Sequence, residues 1–178
     1  MAEKYTLNVA GLTRELTRYP VNDKLDIAAF IMFSDVELTV KCAEELLKKV
    51  TDFDIILTSE AKGIPLAYEM ARQSGKNYVV ARKSVKVYMT NPVSVNVKSI
   101  TTKDEQMLHL GDEKAAMIKG KKVLIVDDLL ATGGTAKAAC NLVKKAGGDV
   151  VGALFLLELV ALSQHAELDT PIYSLIKC

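Results

Sequence analysis

The apolar residues of this chain fall into short runs, and segments with helical spacing lie between those runs. Because most of the runs are short and almost wholly apolar, they are typical of parallel strands that helices cover on both faces. Ligands of such sheets bind at the carboxyl ends of the strands. After a strand-like start around Tyr5–Val9, the runs that indicate strands are Ile55–Thr58, Tyr78–Ala81, Val123–Val126, Val150–Leu157 and Ile172–Ile176.

Three segments between these runs have apolar residues three and four positions apart, which is the spacing of a core-facing helix. Glycine follows two of them, as it commonly does at helix ends. The fold class is therefore α/β, with a central, mostly parallel sheet and helices on both of its faces. The three helical segments are Asp35–Val50 after the candidate cap Ser34-Asp35, Ile64–Ser74 before Gly75, and 136–146 before Gly147-Gly148.

The stretch Val85–Leu110 differs from the rest of the chain because its many β-branched residues alternate roughly with polar ones. This pattern, with Asn91-Pro92 as a turn signal, predicts a β-hairpin that stands apart from the central sheet. The chain has 178 residues, and a length in that range fits one domain with one substantial core. We therefore expect residues 1–178 to form a single domain.

Composition and charge narrow the class of partner. The formal net charge of +1 gives no broad electrostatic footprint for nucleic acid. No apolar run approaches the roughly 20 residues of a membrane span, and the charged first residues lack the apolar region of a signal peptide. The cysteines Cys42, Cys140 and Cys178 are too widely spaced for a zinc site or a disulfide framework. We expect a cytoplasmic protein without a membrane partner, a small-molecule substrate, and Cys42 and Cys140 in the core.

The segment from Val123 to Thr135, VLIVDDLLATGGT, carries the clearest chemistry. Gly133 and Gly134 allow backbone N–H groups to converge, and Thr132 and Thr135 add hydroxyl donors. The positive end of the following helix faces the same point, which suits a phosphate group.

Two consecutive carboxylates, Asp127 and Asp128, precede this loop. Ionised carboxylates accept hydrogen bonds from sugar hydroxyls or hold the waters around Mg²⁺. Because neighbouring strand residues point to opposite faces, we expect one to contact ribose hydroxyls and the other to orient nearby groups or metal-bound water. Either half of the segment alone is also compatible with a capping turn or a tight connection. The whole segment after a buried strand favours a phosphate and sugar site.

The same segment resembles the signature of type I phosphoribosyltransferases that binds phosphoribosyl pyrophosphate (PRPP), and its form is most similar to adenine phosphoribosyltransferases. The resemblance implies that Ala131, Thr132, Gly133, Gly134 and Thr135 cradle the 5′-phosphate of PRPP. It also implies that Asp127 and Asp128 serve the ribose and hold Mg²⁺ through water. The enzymes of this family are homodimers, so a homodimer is implied as well.

Two further loops resemble the family's pyrophosphate-binding elements. Ser59-Glu-Ala-Lys-Gly63 is similar to the family's E-A-R-G loop, with Lys62 in place of arginine. By this resemblance Ala61 and Lys62 bind pyrophosphate. Arg82 and Lys83 are similar to the family's Arg-Lys pair, which serves the same group. We expect Lys62, Lys83 and Mg²⁺ to stabilise the negative charge that builds on the leaving group.

The resemblance implies transfer of the phosphoribosyl group of PRPP to a free purine, first of all adenine, in purine salvage. A hood of about residues 1–34 and a flexible hairpin lid of about residues 84–110 would cover the site. Val126 and either Phe30 or Phe33 are the candidates for holding the flat base between them. The hood lacks the family's P-x-P-G-I-x-F segment, and Ser99-Ile-Thr-Thr in the lid is nearer to xanthine enzymes.

Three alternatives therefore stay open. The base is xanthine or guanine, the chain is a PRPP-sensing regulator similar to the purine repressor, or it keeps the fold with weak catalysis. Related hypoxanthine and guanine enzymes have an aspartate where this chain has Ala131. A general base must then come from the lid, where Asp104 and Glu105 are the candidates. His109 and His165 are expected at the surface, without a catalytic role.

Overall fold

The computed structural model describes residues 3–22, 25–28, 30–97, 106–163 and 167–178. The strands are β1 (Lys4–Val9), β2 (Leu12–Asn22), β3 (Leu25–Ala28), β4 (Ile55–Ser59), β5 (Asn77–Ala81), β6 (Val93–Val97), β7 (Gln106–Leu110), β8 (Lys122–Leu130), β9 (Asp149–Glu158) and β10 (Ile172–Lys177). The helices are α1 (Val36–Leu47), α2 (Ile64–Ser74), α3 (Asp112–Ile118), α4 (Gly134–Lys145) and α5 (Val160–Ser163).

The central sheet has five strands in the order β10-β9-β8-β4-β5. Each neighbouring pair is parallel, so the carboxyl ends of all five strands meet at one edge. Helices α1 and α2 pack on one face, against Ile56, Leu124 and Leu154, and α4 packs on the other, against Leu57 and Phe155. The predicted α/β architecture with both sheet faces covered is confirmed.

Local capping interactions set the start of α1 and the end of α2. Asp35 caps α1, because its carboxylate accepts a hydrogen bond from the backbone N–H of Leu38 at 3.0 Å. Helix α2 closes at Gly75, whose positive φ of 67° is a left-handed conformation that glycine adopts without strain.

Cys42 and Cys140 are buried, as expected from the sequence. The sequence did not indicate α3 or α5, which are seven and four residues long.

Strand β8 is longer than the predicted run, and its two edges end at different points. Its pairing with β4 stops at Leu57 and Ile125, whereas its pairing with β9 continues to Leu130. Asp127 and Asp128 therefore lie inside the strand instead of after its end. From Val126 onward β8 has no ladder on the β4 side, and this separation opens the floor of a cleft.

The predicted hairpin is present as the antiparallel pair β6 and β7, which forms a separate two-stranded sheet. Asn91-Pro92 precedes β6 and is not the hairpin turn; the connection between the strands falls on residues 98–105, outside the described ranges. The hairpin also packs on the core, since Leu108 and Leu110 are buried. Backbone hydrogen bonds of 2.8 Å in both directions join Arg82 to His109.

The N-terminal region forms a second antiparallel sheet, β1-β2-β3, of which only β1 was predicted. Leu7 and Val9 of β1 are buried in the same core cluster as α1 and α2. The guanidinium of Arg14 in β2 donates to both carboxylate oxygens of Asp35, at 2.6 and 3.1 Å. These contacts attach the small sheet to the start of α1. Within the described part of the chain, no helix is long and apolar enough to cross a membrane.

Candidate active site

A cleft of about 310 Å³ lies at the carboxyl ends of the central strands. It is formed by the turn after β4, the segment after β5, and the end of β8 with the loop that leads into α4. The lining residues are Ser59, Glu60, Ala61, Lys62, Lys83, Asp127, Asp128, Leu129, Leu130, Ala131, Thr132, Gly133, Gly134, Thr135, Ala136 and Phe155.

The carboxylate of Asp127 lies between β8 and the turn that follows β4. One of its oxygens accepts a hydrogen bond from the Ser59 hydroxyl at 2.6 Å. The other accepts from the backbone N–H of Asp128 at 3.0 Å. Gly63 approaches it so closely that a Cβ on that glycine would lie 2.6 Å from Asp127 Oδ1 and 2.5 Å from Thr58 Oγ1. Only glycine fits this position without displacing its neighbours.

The surroundings of Asp127 change its acidity. Burial raises the pKa of its carboxyl group to about 7, and the Asp128 carboxylate next to it acts in the same direction. The hydrogen bonds from Ser59 and from the Asp128 backbone favour the ionised form and offset part of this increase. A carboxyl group with a raised pKa in a cleft is a candidate functional group.

The loop 131–135 lines the cleft where it leads into α4. Gly133 is the N-cap of α4 and has a φ of 81°, which a residue with a side chain adopts only with strain. Helix α4 is 12 residues long, so its first-turn N–H groups and its dipole present a positive end to the cleft. This geometry suits a phosphate group.

Two lysines, Lys62 and Lys83, also line the cleft and are exposed. Glu60 holds their two segments together, since its carboxylate accepts from the backbone N–H of Lys83 at 3.1 Å and lies 3.4 Å from Nε of Arg82. Arg82 does not line the cleft; it borders a neighbouring cavity with Tyr78 and Tyr88. Its predicted contact with pyrophosphate stays a prediction, and its position is that of a bridge between segments.

Comparison with known proteins identifies the family. The model of the phosphoribosyl transferase domain matches residues 37–178. The chain belongs to this phosphoribosyltransferase family. It is 43% identical over 119 residues to an adenine phosphoribosyltransferase of a Thermotoga species, a match covering 66% of either chain. It is 34% identical to that of Acetivibrio thermocellus, over 91% of this chain and 94% of the relative.

A solved structure agrees with this assignment. The adenine phosphoribosyltransferase of Thermoanaerobacter pseudethanolicus superposes with a TM-score of 0.79 at 30% sequence identity. The match covers 92% of this chain and 95% of that one.

The base side of this phosphoribosyltransferase corrects the sequence prediction. Val126 is 0% exposed and lies in the core, so it has no surface to offer a base. Phe30 packs against the same core, and Phe33 is 46% exposed but outside the cleft lining. Among the apolar side chains that line the cleft near the carboxylates, Leu129 is 39% exposed, whereas Leu130 and Phe155 are nearly as buried as Val126.

Six cleft residues were given no role from the sequence: Ser59, Glu60, Leu129, Leu130, Ala136 and Phe155. Ser59 and Glu60 lie within the loop that resembles E-A-R-G, so their position was an available signal. Leu129 follows the two carboxylates directly and lines the cleft, whereas Val126, which precedes them, does not. Phe155 comes from β9, and only the pairing of Asp127 with Phe155 in the sheet brings it to the site.

One of the two histidines and neither of the candidate general bases lie within the described residues. His109 is 7% exposed, so the prediction of a surface position is wrong. Its backbone pairs with Arg82, and its Nδ1 lies 2.7 Å from Ser94 Oγ, so the hairpin packing encloses the ring. His165, Asp104 and Glu105 lie outside the described residues, and the proposed proton acceptor stays a prediction.

Proposed function

We propose that this chain transfers the 5-phosphoribosyl group of PRPP to a purine base, with adenine as the first candidate, giving AMP and pyrophosphate. The observation that carries the proposal is one cleft containing a helix-terminal phosphate loop, two carboxylates and two lysines. Each group of PRPP has a chemically matching partner there. A full-length relative at 34% identity is an adenine phosphoribosyltransferase, which supports both the reaction class and the base.

The loop 131–135 binds the 5′-phosphate of PRPP in this proposal. Backbone N–H groups at a helix N-terminus donate hydrogen bonds to an anion, and the helix dipole adds to the attraction. Thr132 and Thr135 supply hydroxyl donors beside the glycines. This end of the substrate is fixed first because it does not change during the reaction, and its binding energy orients the reacting carbon.

Lys62 and Lys83 meet the pyrophosphate end. Breaking the bond to the ribose carbon builds negative charge on the leaving group, and cations already in place stabilise that charge without reorganising. The donor set also fits Mg²⁺, because this ion commonly uses one or two carboxylates together with waters and substrate phosphates. Asp127 and Asp128 would hold it through water, and it would neutralise pyrophosphate charge when bound.

Asp127 and Asp128 face the ribose. Ionised carboxylates accept hydrogen bonds from neighbouring ribose hydroxyls and favour the positive charge that develops on the sugar. Burial raises the pKa of the Asp127 carboxyl group, so nearby cations favour its ionised form. Asp128 is the main ribose partner in this proposal, and Asp127 joins the sugar site to the pyrophosphate loop.

The base lies against Leu129 in this proposal, which is 39% exposed at the cleft. Adenine is favoured by the named relatives, while the departures of the hood and lid keep xanthine and guanine as alternatives. Asp104 and Glu105 remain the candidates for accepting the purine proton. A homodimer, a cytoplasmic location and dependence on Mg²⁺ also stay predictions from the family resemblance.

The test is pyrophosphate release with PRPP, Mg²⁺ and each of adenine, hypoxanthine, guanine, xanthine, uracil and orotate. Turnover with adenine above all others supports the proposal as stated. Turnover with xanthine or guanine alone keeps the reaction and changes the base. PRPP binding without turnover of any base would contradict the transferase proposal and favour a PRPP-sensing regulator.

A further inference from the structure

Ser59 is the last residue of β4 and is 6% exposed. Its hydroxyl donates a hydrogen bond of 2.6 Å to Asp127 Oδ2, across 68 residues of chain. The backbone ladder between β4 and β8 has already ended at Leu57 and Ile125. The hydrogen bond therefore continues the connection between these strands into the region where they separate to form the cleft.

The opposite side of the same carboxylate is confined by Gly63. The closest atoms to a Cβ at that position are Thr58 Oγ1 and Asp127 Oδ1, and the Asp127 Cα would be 3.1 Å away. The turn after β4 thus folds back over the carboxylate, while Ser59 holds it from the strand. A short polar side chain and a glycine, four positions apart, together define where Asp127 lies.

A carboxylate has two oxygens with about four sites for accepting hydrogen bonds. Ser59 uses a site on one oxygen of Asp127, and the Asp128 backbone N–H uses a site on the other. Capacity therefore remains on both oxygens for a ligand in the cleft. The protein fixes the orientation of the group before a ligand arrives.

We propose that Ser59 is a positioning residue for PRPP, which acts by holding the Asp127 carboxylate in one orientation between the pyrophosphate loop and the strand that leads to the phosphate loop. The inference rests on the proposed function. Without the hydroxyl, Asp127 has to be ordered when PRPP binds, and such ordering weakens affinity. Ser59 itself does not have to touch the substrate.

The variant that tests the inference is Ser59→Ala. Ordering one side chain on binding weakens affinity by up to about tenfold. We expect the KM for PRPP to rise by up to about tenfold, with a much smaller change in kcat and an unchanged KM for the base. A merely structural role would reduce the fraction of active protein, which lowers kcat and leaves both KM values in place.

The chain supplies a matched control in the preceding residue. Thr58 is 0% exposed, and its hydroxyl oxygen is buried without a hydrogen-bond partner among the described residues. Thr58→Val therefore removes a buried hydroxyl from the same strand end without removing a hydrogen bond. It should keep the wild-type KM for PRPP. Ser59→Thr, which retains a hydroxyl at the active position, should recover most of the lost affinity.

A double substitution shows whether Ser59 acts through Asp127. In an Asp127→Ala background, adding Ser59→Ala should have no further effect on PRPP binding measured by calorimetry, because its target is gone. Equal PRPP affinity of the unmodified chain and Ser59→Ala would overturn the inference alone. A similar loss in Thr58→Val would also overturn it. Failure of the unmodified chain to bind PRPP would overturn the proposed function together with the inference.

Discussion

The cleft and the hood sheet are built on different principles. The cleft lies at the ends of parallel strands, where separate segments meet through close polar contacts such as Ser59 to Asp127 at 2.6 Å. The N-terminal sheet β1-β2-β3, here called the hood sheet, is antiparallel and is joined to the core by buried Leu7 and Val9 and by ion pairs of Arg14 with Asp35 and Glu37. The shape of the cleft depends on the exact positions of a few polar groups, whereas the attachment of the hood sheet depends mainly on buried apolar area.

This difference determines what a substitution does in each region. Adding or removing one atom near Asp127 moves groups that line the cleft, while the many apolar contacts of the central sheet keep the fold. Removing apolar atoms from the hood sheet should lower the stability of the fold. It should leave the cleft unchanged, because no cleft-lining residue lies in β1 or β2. The two regions should therefore separate activity from stability in opposite ways.

The largest effect is expected from Gly63→Ala. The new methyl would lie within 2.6 Å of Asp127 Oδ1 and Thr58 Oγ1, so the turn and the carboxylate must move apart. A displacement of about 1 Å at reacting groups can cost about a hundredfold in rate. We expect kcat/KM for PRPP to fall by at least about a hundredfold, measured by pyrophosphate release on folded protein.

Gly152→Ala is the control for that substitution. A Cβ at Gly152 in β9 would meet its nearest neighbours, Leu124 and Val50, at 3.4 Å. This contact is ordinary, and it lies in the sheet away from the cleft. Activity close to wild type is expected. Equal losses in both variants would show that crowding anywhere in the sheet impairs the site.

The second effect is expected from Asp128→Asn. The substitution keeps the shape of the side chain and removes the charge that accepts hydrogen bonds from ribose hydroxyls. Losing such a charge-assisted hydrogen bond costs about 1.5–3 kcal/mol, or roughly ten- to a hundredfold in kcat/KM. Thermal unfolding should change little. Wild-type kinetics in a folded variant would support a capping-turn role for the acidic pair.

The sequence predicted the central sheet and the candidate phosphate loop better than it predicted the hood sheet. Strands β4, β5, β8, β9 and β10 each have an apolar run, and α2 ends at the predicted Gly75. The loop 131–135 was predicted to bind phosphate because glycines, threonines and carboxylates have fixed spacing along a single segment, and the structure places this loop at the cleft. Local patterns are sufficient where the function lies within one stretch of chain.

The remaining features depend on contacts between distant residues. β2 contains Arg14, Glu15 and Arg18 and has little apolar patterning, so only its pairing with β1 makes it a strand. Val126 was a candidate for the base because it precedes the carboxylates, but it faces the core. The contact of Ser59 with Asp127 joins residues 68 positions apart, and no spacing rule indicates it.

The third largest effect is expected from Val9→Ala, which weakens the packing of the hood sheet on the core. Val9 is 5% exposed in the core cluster, and removing two methyl groups costs about 1–2 kcal/mol of folding free energy. We expect a lower midpoint in chemical denaturation and unchanged PRPP affinity. A clear loss of PRPP affinity would break the separation between the hood and the cleft.

The smallest effect is expected from Asp35→Asn, measured as a function of pH. The hydrogen bond from the Arg14 guanidinium holds the pKa of the Asp35 carboxyl below its usual value, and the Leu38 N–H adds to the decrease. A lowered pKa in the folded state means that the stabilisation is complete above the unfolded value of about 3.9. It is lost as the pH falls through the folded value.

Asparagine also caps helices, so the variant keeps the contact with Leu38 and loses mainly the charge of the pair with Arg14. Both side chains are about a quarter exposed, and partly exposed pairs contribute little, so the melting temperature should fall by at most a few degrees. This difference should be constant at neutral pH and shrink below about pH 4, because protonation of wild-type Asp35 removes the same charge. A difference that does not change with pH would show that it does not arise from the charge of Asp35, so the ion pair with Arg14 would not hold the hood sheet. In that case the hood would depend on Leu7 and Val9, and its contrast with the polar contacts of the cleft would be sharper still.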